Sequence, residues 1–159
     1  MDDLKRVWQQ QKDAEKVEKT EKSESEHDLH AESKLDGVPK ALPALAQATA
    51  YQKKAAKVGF DWATIEPVID KVLEEFEEIK TAASDAERAS EFGDLLFAVV
   101  NWARWHDIDA ETALRETNGR FRARFGYIEE QARVAGRDLP DMSLDEMDAL
   151  WDEAKANGH

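Results

Sequence analysis

The sequence predicts an all-α protein, an antiparallel four-helix bundle with an additional C-terminal helix. From Ala41 onward apolar residues recur at helical spacing, and no stretch shows the apolar and polar alternation of a half-buried strand. Residues that start and stop helices divide this region into five segments. The connections between these segments are short, which is typical of helices that lie side by side and antiparallel.

The five helices are each predicted from residues at their ends. They run over about 42–57 (stopping near Gly59), 63–83 (with Pro67 near its first turn), 84–106, 109–135 (stopping at Gly136) and 143–157. The third and fifth begin with capping boxes, "SDAE" from Ser84 and "SLDE" from Ser143, in which a glutamate follows the capping serine by three residues. Proline is tolerated early in a helix because the first N–H groups have no intrahelical partner.

Composition and charge exclude several classes of function. The chain has 159 residues, of which 42% are hydrophobic and 36% charged, and its net charge is −13. Such a surface repels polyanions, so nucleic acid is not an expected partner. The absence of cysteine excludes disulfides and thiolate chemistry and fits a reducing compartment. No apolar run has the length of a membrane span. We therefore expect a cytoplasmic protein without membrane association.

The chain divides into two regions by composition. Residues 1–36 are highly charged with almost nothing to bury, which predicts a flexible linker or spur. Residues 37–159 form the predicted domain. "DGVPKALP" marks the boundary between them.

The second predicted helix carries an unusual concentration of glutamate. "EEFEE" spans residues 74–78, and like charges at helical neighbours repel. At roughly 100° per residue, Lys71, Glu75 and Glu78 share one flank of the apolar stripe Ile65, Val68, Ile69, Val72, Phe76 and Ile79. Glu74 lies just beyond this flank, and Glu77 points elsewhere.

The third predicted helix repeats the arrangement. Its expected stripe consists of Phe92, Leu95, Leu96, Val99 and Ala103, and Glu91 and Asp94 lie on one flank, with Asn101 further along. Two carboxylate pairs can therefore meet beside the core. A hard divalent cation resolves their repulsion, and Mg²⁺ prefers oxygen ligands. Di-iron bundles use Glu-x-x-His, which neither helix supplies, so Mg²⁺ or Mn²⁺ is favoured over iron. From spacing alone, a merely solvated acidic face is equally consistent.

Several motifs resemble one family. EExxE at 74–78 and ExxD at 91–94 form the paired motif of the all-α nucleoside triphosphate pyrophosphohydrolases. "LDGVPKALPALAQA", "QKKAAKVGFDW", "TNGRFRARFGYIE" and "LDEMDALWDEAK" are similar to the C-terminal catalytic domain of MazG, and the resemblance covers about residues 35–156. MazG proteins commonly carry two such domains, whereas this chain has one.

The resemblance implies cleavage of a nucleoside triphosphate between its α and β phosphates, giving a monophosphate and pyrophosphate. Glu75, Glu78, Glu91 and Asp94 would hold Mg²⁺, and Glu74 is the candidate to orient or deprotonate water. The family often has a lysine one turn before ExxD. This chain has Glu87 there, with Arg88 beside it.

Basic and aromatic residues complete the predicted substrate site. Arg120 and Arg124 share one face of the fourth helix, where the family tends to have a lysine at the first position. Trp151 and Lys155 are spaced i, i+4 on the last helix. The resemblance implies that Trp151 contacts the base and that Lys155 contacts a phosphate or the ribose. The alternatives are salt bridges for the arginines and core anchorage for Trp151. The predicted substrate contacts are Lys71, Arg88, Asn101, Arg120, Arg124, Trp151 and Lys155.

The third helix also predicts self-association. Val100, Trp102 and Trp105 widen its apolar surface beyond one stripe, which indicates a homodimer or higher oligomer. Three interpretations of function stay open at this point: a Mg²⁺-dependent nucleoside triphosphate pyrophosphohydrolase, a catalytically idle regulatory or interaction module of the same fold, and a different metal-carboxylate bundle. The intact EExxE and ExxD motifs favour the first.

Overall fold

The computed structural model describes residues 33–159, and the linker predicted over residues 1–36 lies mostly outside them. The described helices are α1 (Ala44–Lys57), α2 (Glu66–Thr81), α3 (Asp85–Trp105), α4 (Ala110–Val134), a short 3₁₀ helix (Leu139–Asp141) and α5 (Leu144–Ala156). No strand occurs in this part of the chain. The all-α prediction is confirmed here, and the four-helix arrangement stays a prediction. Val38–His159 form one compact unit.

The helix ends follow local sequence. Ser143 accepts a hydrogen bond from the Glu146 backbone N–H at 3.2 Å, and Glu146 Oε2 accepts one from Ser143 N–H at 2.7 Å, so the second capping box is confirmed. In the first box, the glutamate carboxylate does not bond the backbone N–H of the capping serine. Ser84 caps Glu87 at 3.1 Å, but the Glu87 carboxylate accepts from Ala83 N–H at 2.6 Å. The carboxylate therefore reaches one residue further back than the predicted box requires.

Two helix boundaries depend on residues with special backbone preferences. Helix α2 begins later than predicted, with Pro67 in its first turn, where a missing N–H breaks no intrahelical bond. Gly136 follows α4 at a φ of 66°, a conformation in which a side chain would be strained. Pro67 therefore marks the start of α2, and Gly136 marks the end of α4.

Two helix pairs make the main packing contacts, and α1 lies against both. Helix α2 packs mainly against α3, α4 packs against α5, and α1 contacts both α3 and α4. Gln52 of α1 is buried and donates from Nε2 to the Phe97 carbonyl at 2.9 Å, which ties α1 to α3. The buried apolar residues of the described part are all aliphatic: Val68, Ala98, Val100, Ile128, Ala132 and Ala154.

The predicted apolar stripe is partly buried in α2, where Val68 is 1% exposed, but it is not the buried face of α3. Phe76 is 51% exposed, Phe92 50% and Leu96 56%, while Ala98 and Asn101 of α3 are buried. The acidic flanks instead face the α2–α3 contact. Helix α3 has apolar residues on more than one face, so its sequence could not determine which face the chain buries by itself.

The described part shows no membrane-spanning segment. None of its helices is both long and apolar enough to cross a bilayer.

Candidate functional site

The acidic side chains of α2 and α3 converge where these helices pack. Ligand oxygens of Glu74, Glu75 and Glu78 lie within 4.8 Å of one another, and so do those of Glu75, Glu91 and Asp94. Glu75 belongs to both groups. The helices thus bring together all four predicted metal ligands and the predicted water-orienting residue, as two overlapping groups rather than one ring.

Glu75 is the buried centre of this cluster. It is only 4% exposed, and its Oε2 atom is buried without a hydrogen-bond partner among residues 33–159. Burying an unpaired carboxylate oxygen costs free energy, because water no longer solvates it. The position therefore suits a cation that accepts an oxygen ligand.

The carboxylates also affect each other electrostatically. The pKa of Glu91 is raised, mainly because the group is partly desolvated and next because Glu78, Asp94 and Glu75 repel its negative charge. A hydrogen bond with Glu78 adds to the same effect. Carboxylates this close cannot all stay ionised at ordinary cost unless a cation joins them.

Lys71 provides positive charge within the cluster. Its Nζ lies 2.6 Å from Glu75 Oε1 and 2.8 Å from Glu74 Oε1. Its pKa is raised, first by the hydrogen bond to Glu74 and then by that to Glu75. The lysine is one helical turn before both glutamates, as the sequence predicted, and it contacts the buried one directly.

The donor set fits a hard divalent cation. The clustered ligands are all carboxylate oxygens, which Mg²⁺ and Mn²⁺ prefer, and neither group includes histidine. The unpartnered Oε2 of Glu75 is an oxygen that such an ion could take. These residues therefore fit the expected metal.

Glu77 is separate from the cluster, as its helical position predicted. Its carboxylate accepts from Lys80 Nζ at 2.8 Å and 3.0 Å, and its side chain is exposed. The glutamates of "EEFEE" therefore differ in environment, which makes Glu77 a natural control for the others.

A second cluster of predicted residues forms between α4 and α5. The guanidinium carbon of Arg124 lies 5.5 Å from the centroid of the Trp151 ring, and Arg124 Nε donates to the His159 carbonyl at 2.9 Å. Lys155 pairs with Asp152 at 3.1 Å. Arg120 is exposed and donates to the Thr117 hydroxyl at 2.7 Å.

Phe121 is a member of this second cluster that the sequence did not identify. Its ring centroid lies 5.3 Å from that of Trp151 and 6.1 Å from that of Phe125. The aromatic residues of "RFRARF", spaced i, i+4, were the available indication. Phe121 supports the indole from α4.

Arg88 and Asn101 lie in different surroundings. Arg88 pairs with Asp85 at 2.6 Å near the start of α3. Asn101 is buried, and its Oδ1 accepts from Arg104 Nε at 2.9 Å and Nη2 at 2.7 Å. Arg104 also bonds Asp61 at 2.7 Å, a contact between the α1–α2 loop and α3 that the sequence did not reveal. The structure thus gives Asn101 a packing role, and its predicted substrate contact stays a prediction.

The two clusters are not joined by side-chain bonds. Within residues 33–159, no hydrogen bond or ion pair connects the Arg124–Trp151 cluster to the carboxylates of α2 and α3. The chain therefore presents an acidic site and an aromatic, basic site on different helix pairs.

Comparisons with known proteins add an independent observation. The chain is 37% identical over 153 residues to the nucleoside triphosphate pyrophosphohydrolase of Escherichia coli strain K12, covering 93% of this chain and 54% of that protein. It is 38% identical over 123 residues to the nucleoside triphosphate pyrophosphohydrolase/pyrophosphatase MazG of Thermotoga maritima, covering 77% of this chain and 48% of that protein.

A third relative is longer still. The chain is 51% identical over 145 residues to the uncharacterized protein YabN of Bacillus subtilis, covering 89% of this chain and 29% of that protein. No family model matches the chain. The chain spans about half the length of the first two relatives and less than a third of the last.

Proposed function

The chain belongs to the MazG family, and on that premise we propose that it is a Mg²⁺-dependent nucleoside triphosphate pyrophosphohydrolase. The reaction converts a nucleoside triphosphate and water into a monophosphate and pyrophosphate. The main support for this proposal is the pair of overlapping carboxylate groups that share the buried Glu75. A solvated acidic face has no reason to bury its central carboxylate.

Glu75, Glu78, Glu91 and Asp94 would hold the metal. When bound, Mg²⁺ neutralises phosphate charge and lowers the pKa of a coordinated water. Glu74 lies beside these ligands, and its side chain is exposed. Its carboxylate can therefore accept a hydrogen bond from water. This position suits a residue that orients or deprotonates the attacking water.

Cations and one aromatic ring would bind the substrate. Phosphoryl-transfer sites work largely by positioning and by compensating phosphate charge, so several cations are expected. Arg120, Arg124, Lys155, Lys71 and Arg88 can supply them, and Trp151 offers a flat surface for the base. The contact between Arg124 and Trp151 places a cation next to the proposed base site.

We further propose that two copies of the chain assemble, and that the assembly completes the site. The exposed apolar side chains of α2 and α3 form a face that we call the α2–α3 face: Leu73, Phe76, Phe92, Leu96, Phe97, Val99 and Trp102. Several large apolar side chains exposed on neighbouring helices are typical of an interface. Within the described part of one chain, the α4–α5 cluster and the acidic site are not bonded to each other. In a dimer, the α4–α5 cluster of one copy can lie next to the acidic site of the other. The cytoplasmic location expected from the sequence stays a prediction.

The test is hydrolysis of the four ribonucleoside and four deoxyribonucleoside triphosphates with Mg²⁺, with pyrophosphate and orthophosphate measured separately. We expect pyrophosphate from at least one substrate, and loss of most hydrolysis in Glu78→Gln but not in Glu77→Gln. No pyrophosphate from any of the eight would support the idle interaction module. Equal behaviour of the two variants would contradict the metal site.

A further inference from the structure

Lys71 occupies the position of a counter-ion to the buried carboxylate. Its Nζ is 2.6 Å from Glu75 Oε1, while Oε2 of the same carboxylate has no partner in the described part of the chain. The second contact, 2.8 Å to Glu74, reaches a side chain that is 55% exposed. One ammonium group thus joins the buried glutamate and an exposed neighbour.

This ion pair differs from an ordinary surface pair between helical neighbours. Exposed pairs at i, i+4 contribute little, because water solvates both charges when they separate. Glu75 cannot be solvated in this way, and removing the partner of a buried charge is far more costly than removing a surface charge. The other lysine of α2, Lys80, pairs with Glu77 instead, and Arg88 of α3 pairs with Asp85.

The same carboxylate is the one that both candidate ligand groups share. A divalent cation that enters either group needs an oxygen of Glu75, and it places positive charge next to the ammonium of Lys71. Two cations so close repel each other strongly in a partly buried site. The lysine and the metal therefore compete for one carboxylate.

We infer that Lys71 holds Glu75 in place before the metal binds and releases it when the metal arrives. The released side chain is long enough and exposed enough to turn toward the phosphates of the substrate. In this role Lys71 is a counter-ion that neutralises the buried carboxylate before the metal binds and is then displaced. The inference rests on the metal site of the proposed function.

The test measures Mg²⁺ binding without nucleotide, by calorimetry at pH 8, in the wild type and in Lys71→Met. Methionine keeps most of the length of the side chain but carries no charge with which to compete with the metal. We expect Mg²⁺ to bind the variant about tenfold more tightly, the scale of one hydrogen-bonded ion pair to a charged group. The rise in Tm on adding Mg²⁺ should be larger in the variant than in the wild type.

Lys80→Met is the matched control. It removes one positive charge from the same helix, away from the cluster, and should leave the Mg²⁺ affinity nearly unchanged. Raising the salt concentration should reduce any long-range effect of charge on the Mg²⁺ affinity. The difference in affinity between Lys71→Met and Lys80→Met should remain, since salt screens charges in direct contact least. Equal tightening in both variants would overturn the inference.

A second measurement covers the case in which Lys71→Met does not fold. In wild-type protein with ¹³C-labelled lysine, the Cε resonance of Lys71 should shift when Mg²⁺ binds, and that of Lys80 should not. A stationary Lys71 resonance at saturating Mg²⁺ would overturn the inference. If the wild type binds no Mg²⁺ at all, the metal site of the proposed function fails instead, so the two failures are distinguishable.

Discussion

Arg124 and Trp151 form a cation–π contact between α4 and α5, with 5.5 Å between the guanidinium carbon and the ring centroid. Phe121 contacts the same indole at 5.3 Å. The indole is therefore held in one orientation before any substrate binds. Fixed aromatic rings lose little conformational entropy when a ligand stacks on them, so the arrangement suits a base-binding surface.

Trp151→Ala should raise KM by a factor equivalent to about 1–3 kcal/mol, the range measured for stacking of a base on an aromatic side chain. It should also lower Tm, because the contact with Phe121 is lost. Trp151→Phe keeps a ring at this position, so its KM should be close to that of the wild type. A lower Tm with unchanged KM in Trp151→Ala would mean that the indole only anchors α5.

The ion pair of Glu146 with Arg137 should make stability depend on pH. Arg137 donates to the Glu146 carboxylate at 2.6 Å, and this bond, followed by the Ser143 backbone bond, lowers the pKa of Glu146 from 4.5 to about 2. A lowered folded-state pKa means that the stabilisation is complete above pH 4.5 and is lost as the pH falls toward 2.

Urea unfolding of the wild type and Glu146→Gln at several pH values measures this contribution. We expect the wild type to be the more stable at pH 6, and the difference to shrink steadily between pH 4.5 and pH 2. A difference independent of pH would show that the carboxylate charge contributes nothing and that only the shape of the cap matters.

The α2–α3 face should control self-association. Leu96→Asp places a charge on an apolar surface that is 56% exposed in the single chain, and desolvating that charge in an interface is costly. We expect the variant to sediment as a monomer while the wild type sediments as a dimer or larger oligomer. Val134→Asp is the control, because Val134 is 74% exposed at the end of α4 and outside the face. Identical sedimentation of all three proteins would exclude this face as the interface.

The sequence predicts those parts of the fold that depend on neighbouring residues. The capping serines Ser84 and Ser143 and the helix-ending Gly136 were identified because a cap or a left-handed turn needs particular side chains within a few positions. The i, i+3 spacing of Glu75 and Glu78 likewise placed both on one flank of α2. These relationships follow from helix geometry alone.

The remaining features depend on contacts between distant segments. Nothing local distinguishes Glu75, which is buried, from Glu78, which is exposed on the same flank, because burial is decided by the packing of α3. The contact of Arg104 with Asp61 joins residues 43 positions apart and depends on the shape of a loop. Phe92 and Leu96 were expected in the core, but apolar periodicity cannot tell a core from an interface, since both bury the same kind of side chain.

The carboxylate cluster should make the fold respond to Mg²⁺. Ligands that bind only the folded state stabilise it by mass action, by about 2.7 kcal/mol when their concentration is one hundred times Kd. We therefore expect Mg²⁺ to raise the Tm of the wild type after treatment with a chelator. The pKa of Glu91 is raised first by desolvation and then by repulsion from Glu78, Asp94 and Glu75, and a cation in the cluster would relieve that repulsion.

Glu78→Gln should separate the repulsion within the metal-free cluster from the stabilisation by Mg²⁺. With the chelator present, its Tm should equal or exceed that of the wild type, because one repulsive charge is gone. Its response to Mg²⁺ should be largely lost, because an amide is a weaker ligand for a hard cation than a carboxylate. Glu77→Gln removes a carboxylate from the same helix but disrupts only the pair with Lys80, so its response to Mg²⁺ should match that of the wild type. If Glu77→Gln and Glu78→Gln respond to Mg²⁺ alike, the cluster does not bind the metal, and the glutamates of α2 only solvate its surface.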